Sequence, residues 1–406
     1  MIFITLPPPR IFRPGYNDPM RILHTADWHL GKLLKGIDRT PEVAKALEEL
    51  LEIVRKERVD LVVVAGDLFD RPQVSVEAEE AAWRFFLGLH ELGVPALVIA
   101  GNHDSRDRLE VHGRVLARFG VVVRGEVRFR GEGGVVDRPV RAGLLPFLSE
   151  RRLLNFQEGE LGEWRGQYAE RMEKLLRHLS QEEDLLLAHL TVEGVRPGGG
   201  EFAFYLTNSY ALPRQALPQR PRYIALGHIH RQEQVAENAW YSGSLIQLDF
   251  GEHEDAPRGA LLVELPERGP ARVFPVRGAW GRPLRTFRVR PEELDRAYEE
   301  MRRFGGYMRL VVEGHLVPEV RERLYQSLDR LLEIQQIVNV PPPPPRIVRN
   351  EVEAYCYYLE SRYKTGKETE EKDSEKARCN EEENPRKKAL LDRFRQVLME
   401  VEGASL

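Results

Sequence analysis

The chain has 406 residues, which is too long for one compact unit and predicts two or three domains. Its composition is 42% hydrophobic and 31% charged, and it has no apolar run near the roughly 18 residues that a membrane span requires. The formal net charge of −4 disfavours a protein that simply coats nucleic acid, but it leaves room for an enzyme that acts on phosphates. Because both cysteines, Cys356 and Cys379, lie near the C-terminal end, no disulfide framework is expected and a cytoplasmic location is favoured.

An alternation of strand-like and helix-like segments begins near Met20. Residues 1–19 are rich in proline and lack periodicity, so they are expected to form a disordered extension, and Met20 would open the fold equally well. Thr40 and Pro41 offer an N-cap and first-turn pair for the first helix. The alternating strands and helices are predicted at 22–26, 41–57, 59–65, 77–92 and 94–100. This pattern predicts an α/β fold with a largely parallel sheet and sites at the carboxyl ends of its strands.

The middle of the chain continues the pattern less regularly. Residues 121–147 are typical of short strands and turns, 164–180 of a helix, and 184–190 of a buried strand. Residues 191–220 are rich in loop-forming residues. Further strands are predicted at 222–227, 240–242, 259–264 and 271–277. We therefore expect a first domain over residues 20–280.

A smaller second domain is predicted over residues 281–340. Its segments read as strand, helix, strand, helix and strand, at 284–290, 291–304, 307–313, 318–334 and 336–340. Its sequence contains no cluster of metal-ligand residue types. It is therefore expected to shape or cover a site that the first domain carries.

The remaining residues are predicted to form a linker, at 341–385, and a partner-binding helix, at 386–406. Pro341–Pro345 give a stiff spacer of roughly 15 Å at about 3.1 Å per residue, and the charge-dense stretch 366–386 predicts disorder. Apolar residues recur at helical spacing at Leu390, Leu391, Phe394, Val397, Leu398 and Val401. Docking of this stripe into a partner's groove is favoured over packing against its own domain.

Candidate metal ligands follow the ends of five predicted strands. An Asp or Asn at a strand end is, taken singly, more often a turn or helix cap. Alternate residues of an extended chain point the same way, so His228 and His230 are expected to lie on one side. Several convergent ligands outweigh lone ones and predict a metal site. The candidates are Asp27, His29, Asp67, Asn102, His189, His228 and His230.

A mixed set of nitrogen and oxygen donors favours manganese, iron or zinc over calcium or magnesium. Two such ions roughly 3.5–4 Å apart can stabilise the attacking and leaving oxygens of a phosphoryl displacement and lower the pKa of a bound water. The carboxylate of Asp67 could bridge them. The other histidines are expected to be packing or surface residues, with His24 close to the site: His24, His90, His112, His178, His253 and His315.

The ordered motifs resemble the calcineurin-like metallophosphoesterase superfamily, and most closely its bacterial SbcD nuclease branch. The resemblance covers residues 20–280 at the level of motifs and 281–340 in the pattern of elements only. It implies a β-sandwich flanked by helices, a smaller α/β capping domain and a C-terminal partner-binding helix. The runs that carry it are HTADWHLGK (24–32), AGDLFD (65–70), AGNHDS (100–105), LGHIHR (226–231) and YSGS with QLDFGE (241–252).

The resemblance also implies roles for the site residues. One metal ion would be held by Asp27, His29, Asp67 and His230. The other would be held by Asp67, Asn102, His189 and His228. His103 would contact the scissile phosphate and protonate the leaving oxygen, and Asp104 would orient His103. Two departures are Leu245, where proline is expected, and Asp70, where some archaeal relatives have histidine and which is expected to support the site.

The function implied by the resemblance is manganese-dependent hydrolysis of DNA at double-strand ends and hairpins. Family members act as 3′→5′ exonucleases and single-strand endonucleases in DNA repair and recombination. The implied partners are a second copy of the chain and an SMC-like ABC ATPase, SbcC, which the helix at 386–402 would bind. Two alternatives stay open: a small-molecule phosphodiesterase or phosphatase of the same superfamily, and a DNA-end-binding scaffold without catalysis.

Overall fold

The computed structural model describes residues 18–149, 152, 168–196, 211–337, 355, 389–390 and 392–394. The chain divides into two compact units, Met1–Val338 and Asn339–Leu406. The predicted N-terminal extension up to residue 17, the polyproline spacer and the charged stretch lie outside the described residues, as does most of the predicted C-terminal helix. In the second unit, the rings of Tyr355 and Phe394 stack with their centroids 4.1 Å apart.

The first of two large sheets has six strands and carries the N-terminal half of the fold. Its strands, in order across the sheet, are Arg272–Val276, Ala260–Leu265, Met20–Thr25, Leu61–Ala65, Ala96–Ile99 and Val121–Arg124. The last four run parallel to one another, and Ala260–Leu265 pairs antiparallel with both of its neighbours. Leu61–Ala65 is apolar throughout because both faces of the sheet are covered.

The second large sheet also has six strands and packs against the first. Its strands, in order, are Glu233–Ala236, Ala239–Tyr241, Tyr223–Gly227, Leu185–His189, Ala142–Leu145 and Val135–Val136. Val63 and Leu187 share the core between the sheets, whereas Val62 packs toward the helices on the first sheet. Leu186 packs with Met172, on the helix Tyr168–His178 that covers the second sheet. The predicted α/β sandwich flanked by helices is confirmed.

The helices that cover the first sheet are Thr40–Lys56, Val76–Glu91 and Arg106–Leu116. The first two begin one residue before their predicted starts. Arg39, and not Thr40, is the N-cap of the first helix, and the N–H of Thr40 donates to Oδ1 of Asp38 at 2.9 Å. The third helix was missed in the sequence because its polar composition hides the two positions that it buries, Leu109 and Leu116.

A third sheet of three parallel strands follows the sandwich, at Leu284–Val289, Tyr307–Val312 and Leu331–Gln336. It has its own apolar core with the helices Leu294–Arg303 and Pro318–Ser327. The predicted helix at 318–334 was wrong in its second half. Residues 331–336 pair with the strand at 307–312, so tertiary pairing overrides local helix propensity there.

Among the described residues, no helix has the length and apolar character needed to cross a membrane.

Candidate metal centre

The predicted ligands lie together where strands of both large sheets end. The residues follow the strands Met20–Thr25, Leu61–Ala65 and Ala96–Ile99 of the first sheet. In the second sheet, they end or follow Leu185–His189 and Tyr223–Gly227. Because these strands are parallel within each sheet, their carboxyl ends share an edge, and residues about 200 positions apart in the chain become neighbours.

The first ligand group consists of Asp27, His29 and His230, whose potential ligand atoms lie within 4.8 Å of one another. The Nε2 atoms of His29 and His230 are 3.1 Å apart. All three residues are buried. The second ligand group consists of Asp67, His189 and His228, and meets the same 4.8 Å criterion.

Asn102 completes the second group. Its Oδ1 lies 2.9 Å from Nε2 of His189 and 2.8 Å from Nδ1 of His228. Asp67 lies between the groups, because its Oδ2 is 3.8 Å from Nε2 of His29 and 3.4 Å from Nε2 of His189. The structure therefore brings all seven predicted ligands together, with Asp67 between the two groups.

The spacing of these atoms fits metal ions. Ligand bonds of about 2.1 Å at right angles place neighbouring donor atoms about 3 Å apart, which is the separation of His29 and His230. Burial lowers the pKa of His29 to about 4 and holds the pKa of His228 well below its usual range, so both imidazoles are neutral and can act as ligands. Nitrogen and oxygen donors in this mixture suit manganese, iron or zinc.

The backbone at four of these residues is strained. Asp27, His29, Asp67 and His228 have φ angles of 53°, 49°, 51° and 101°, a region that favours glycine. Each such residue costs on the order of 1–3 kcal/mol and persists only where surrounding contacts fix it. Here the N–H of Asp27 donates to the carbonyl of Gly66 at 3.0 Å, and the N–H of His29 to that of Asp67 at 3.1 Å. Such strain concentrated at one place is typical of functional sites.

Two glycines allow the strand ends to approach this closely. A Cβ atom on Gly101 would lie 2.1 Å from Oδ1 of Asp67, and one on Gly227 would lie 2.0 Å from the carbonyl oxygen of Ala65. Any side chain at either position would therefore push apart the strand ends that carry the ligands. The glycines of the GNHD and GHIH motifs are thus explained by packing alone.

Hydrogen bonds orient two of the histidines toward the centre. Nδ1 of His189 lies 2.8 Å from the carbonyl oxygen of Ala65, to which it donates, leaving Nε2 as the ligand atom. Nδ1 of His230 lies 2.9 Å from Oε1 of Glu252, a buried residue. Such partners fix the tautomer and raise the basicity of a ligand. Glu252 was missed by sequence reasoning; its only signal was its place at the end of the QLDFGE run.

Replacing Glu252 by glutamine is expected to weaken metal binding roughly tenfold, the lower end of the range for partners of metal ligands. Glutamine keeps an acceptor for His230 but removes the negative charge that makes the imidazole a stronger donor. Titration calorimetry with Mn²⁺ measures the change. Glu254→Gln is the matched control because the Glu254 carboxylate is exposed and pairs with Arg285. Equal affinities in the two variants would contradict this role for Glu252.

Charge is distributed unevenly among the ligands. Burial raises the pKa of Asp27 to about 7. Burial also opposes protonation of His189, but the adjacent carboxylate of Asp67 outweighs it and raises the pKa of His189 to about 9. Burial would raise the pKa of Asp67, yet the neighbouring His189 and His103 hold that pKa well below its usual range. Without metal, a proton on His189 therefore neutralises Asp67 at neutral pH.

Metal binding at pH 8 is expected to release about one proton per chain, because a metal ion must displace the proton of His189. The release should fade as the pH rises through about 9, the pKa of His189, and increase as the pH falls through about 7, where Asp27 becomes protonated. The apparent affinity for metal should therefore decrease as the pH is lowered, because protons then compete for His189 and Asp27. Calorimetry in buffers of different ionisation enthalpy counts the protons. No release at pH 8 would contradict this charge distribution.

His103 lies beside the ligand groups and is only partly buried. Its Nδ1 is 2.7 Å from the carbonyl oxygen of Asp70, and its ring packs edge-on against His29 with centroids 4.7 Å apart. Its backbone N–H donates to Oδ1 of Asp67 at 2.8 Å. The imidazole is thus held beside the ligand groups while it remains reachable from solvent.

The carboxylate of Asp104 accepts backbone hydrogen bonds from Gly101, Phe69 and Leu68 at 2.9, 3.0 and 3.3 Å. It therefore ties together the two loops that carry Asp67 and His103. Asp70 supports the first ligand group instead, because its Oδ1 lies 3.4 Å from Nδ1 of His29 and 3.2 Å from Nζ of Lys32. His24 is buried between the sheets, 2.8 Å from the hydroxyl of Tyr223.

Comparison with known proteins places the chain in a family. Residues 20–232 match the family model for calcineurin-like phosphoesterases. The SbcD protein of the SbcCD nuclease from Bacillus subtilis is 33% identical over 253 residues, which cover 57% of this chain and 63% of that protein. Its counterpart from Rhodobacter capsulatus is 32% identical over 296 residues, covering 62% of this chain and 73% of that protein.

The SbcD protein from Escherichia coli is 33% identical over 254 residues, which cover 57% of this chain and 62% of that protein. The matches thus span between 62% and 73% of the length of these three relatives. The family model covers more than half of this chain, including every strand end that carries a predicted ligand. The chain therefore belongs to the calcineurin-like phosphoesterase family and, within it, to the SbcD branch.

Proposed function

We propose that this chain is the nuclease component of an SbcCD-type complex that acts in the cytoplasm in DNA repair and recombination. The observation that carries the proposal is the pair of buried ligand groups joined by Asp67. Relatives named as components of the SbcCD nuclease support DNA as the substrate. The reaction is the hydrolysis of phosphodiester bonds at double-strand ends and hairpins, by 3′→5′ exonuclease and single-strand endonuclease action.

Each part of the centre has a role in this proposal. When bound, two divalent metal ions, manganese by preference, would supply charge that polarises the phosphate and lowers the pKa of a water. Asp27, His29 and His230 would hold one ion, Asn102, His189 and His228 would hold the other, and Asp67 would contribute to both. Water attacks phosphorus and gives up a proton to the solvent, the bond to the leaving oxygen breaks, and His103 donates a proton to that oxygen. Asp104 positions His103 through the backbone of their shared loop.

The remaining parts of the chain are assigned by the same proposal. Residues 20–280 form the nuclease domain and 281–340 a capping domain that contributes to DNA recognition. Residues 341–385 are a linker, and the helix at 386–406 binds the SMC-like ATPase SbcC. The working unit is a homodimer joined to that ATPase. The separate core of the third sheet supports a capping domain.

The proposal is tested by metal analysis and by cleavage of a DNA hairpin and a blunt duplex end in Mn²⁺. The full chain and a chain that ends at residue 385 are compared, each with and without the ATPase. We expect both chains to cut DNA alone and only the full chain to associate with the ATPase. Faster turnover of cyclic nucleotides than of DNA would favour a small-molecule phosphodiesterase instead. DNA binding without cleavage would favour a scaffold.

A further inference from the structure

A buried glutamine connects the third sheet to the metal centre. Gln247 is 8% exposed and lies between the sandwich and the strand Leu284–Val289. Its Oε1 accepts the backbone N–H of Leu284 at 2.8 Å, and its Nε2 donates to the carbonyl oxygen of Glu252 at 3.2 Å. One side-chain amide therefore spans from the third sheet to the segment that supports a metal ligand.

The connection continues through Glu252 to the first ligand group. Oε1 of Glu252 lies 2.9 Å from Nδ1 of His230, while Oε2 accepts the backbone N–H of Leu248 and Nε of Arg258, both at 3.2 Å. The opposite nitrogen of His230 is the one that faces His29. Three successive hydrogen bonds thus join the backbone of the third sheet to a ligand residue.

The second ligand group is anchored differently. Nδ1 of His189 bonds the carbonyl oxygen of Ala65 in the first sheet, and Asn102 bonds His189 and His228. The ring of Phe147 stacks on that of His228 with centroids 6.3 Å apart. These contacts all lie within the sandwich, so a shift of the third sheet acts on the first ligand group in preference to the second.

Gln247 is not needed to hold the third sheet in place. Leu284 also packs with Leu34 and Phe250 in an apolar cluster between the sandwich and the third sheet. Arg309 donates to the carbonyl oxygen of Phe250 at 3.0 Å, and the buried Arg39 donates to that of Arg282 at 3.3 Å. Removing the amide of Gln247 therefore leaves these attachments of the third sheet in place and interrupts the connection from Leu284 to Glu252.

We propose that Gln247 is a positioning residue that couples the third sheet to the first metal position through Glu252 and His230. The inference rests on the proposed two-metal centre. The backbone N–H of Leu284 holds the side-chain amide of Gln247, and this amide fixes the turn from Gln247 to Glu252. The carboxylate of Glu252 is thereby held against His230. When the third sheet moves, the carboxylate loses this support and the first position binds its ion more weakly.

The test is a two-step Mn²⁺ titration of the full chain by calorimetry, with Gln247→Met as the variant. Methionine keeps the length and volume of the side chain but removes both hydrogen bonds. The step that belongs to the first position is identified by its loss in His230→Ala. In Gln247→Met, we expect the Mn²⁺ affinity of the first position to fall by about threefold to tenfold. The upper value is the lower end of the range for partners of metal ligands. The Mn²⁺ affinity of the second position should stay within about twofold of its value in the unaltered chain.

Gln336→Met is the matched control. The Oε1 atom of Gln336 accepts the backbone N–H of Leu316 at 3.0 Å, inside the third sheet and its helices. This variant loses a similar hydrogen bond, but that bond is not connected to His230. The Mn²⁺ affinities of both positions should therefore be unchanged. Gln247→Glu serves as a second variant, because it keeps the acceptor for Leu284 and loses the donor to Glu252. It should lower the same single affinity.

Unchanged affinities in both Gln247 variants would overturn the coupling, and so would an equal fall in both steps, which indicates general destabilisation. Failure of the unaltered chain to bind two ions would overturn the two-metal centre itself. These results are distinguishable because the first two leave two binding steps in the unaltered chain. If a high Mn²⁺ concentration restores the cleavage of a DNA hairpin by the Gln247→Met variant, the variant affects metal binding rather than folding, which would further support the coupling.

Discussion

Replacing Asp67 by asparagine is expected to lower DNA cleavage by about 10³-fold or more. Its carboxylate approaches side chains of both ligand groups, with Oδ2 at 3.8 Å from Nε2 of His29 and 3.4 Å from Nε2 of His189. Metal ions contribute several kcal/mol to the stabilisation of transition-state charge, and about 4 kcal/mol corresponds to a factor of 10³. Asparagine keeps the shape of the side chain but offers no negative charge between two cations. Cleavage rates and metal content are measured together.

Asp60→Asn is the matched control for this prediction. Asp60 precedes the same strand, Leu61–Ala65, at the end opposite the centre, where its Oδ2 accepts the backbone N–H of Arg21 at 2.8 Å. Its replacement should leave cleavage within about twofold of the unaltered chain, as expected for a site away from the reacting groups. Full activity of Asp67→Asn would show that the carboxylate does not bridge two ions.

Replacing His103 by alanine is expected to lower kcat between about 10²-fold and 10⁴-fold, the range for a lost general acid. Metal affinity should change little, because the imidazole of His103 lies beside the ligand groups and its Nδ1 is engaged by the carbonyl oxygen of Asp70. Single-turnover cleavage at saturating Mn²⁺ separates the chemical step from metal binding. A substrate whose leaving group is better than the DNA sugar oxygen should show a smaller loss of kcat in His103→Ala, because such a leaving group needs less protonation.

His112→Gln is the control for a histidine on the same side of the fold. The ring of His112 packs on Trp83 with centroids 4.7 Å apart. It takes no part in the proposed reaction, so kcat should be unchanged. Cleavage by His103→Ala at the rate of the unaltered chain would remove His103 from its assigned role. A parallel loss of bound metal would instead assign it to the ligands.

The predicted strands and ligands could be read from local patterns. Leu61–Ala65 is a short apolar run that ends in glycine and aspartate, and Tyr223–Gly227 ends in glycine before two histidines. Strand length, apolar character and the residue that follows are properties of neighbouring positions, so they are visible in the sequence. The ends of parallel strands share an edge for geometric reasons, which is why ligands far apart in the chain could be grouped.

Elements with weak local patterns were less accessible. The helix Arg106–Leu116 was missed because polar residues outnumber the positions that it buries. Residues 331–334 were assigned to a helix, yet they belong to the strand Leu331–Gln336, which pairs with the strand at 307–312. Both segments are specified by contacts with distant residues, and a local window contains neither partner.

By itself, the sequence determined which residue types stand at the strand ends and predicted an α/β fold with candidate metal ligands there, while the sandwich architecture was implied by the resemblance. Only the tertiary structure decided how those residues are held. The positive φ angle of His228, the raised pKa of His189 beside Asp67, and the support of His230 by Glu252 and Gln247 all depend on contacts between distant segments. The physical reason is that strain, burial and charge coupling arise when remote segments are packed together, whereas ligand identity is fixed by the side chain alone.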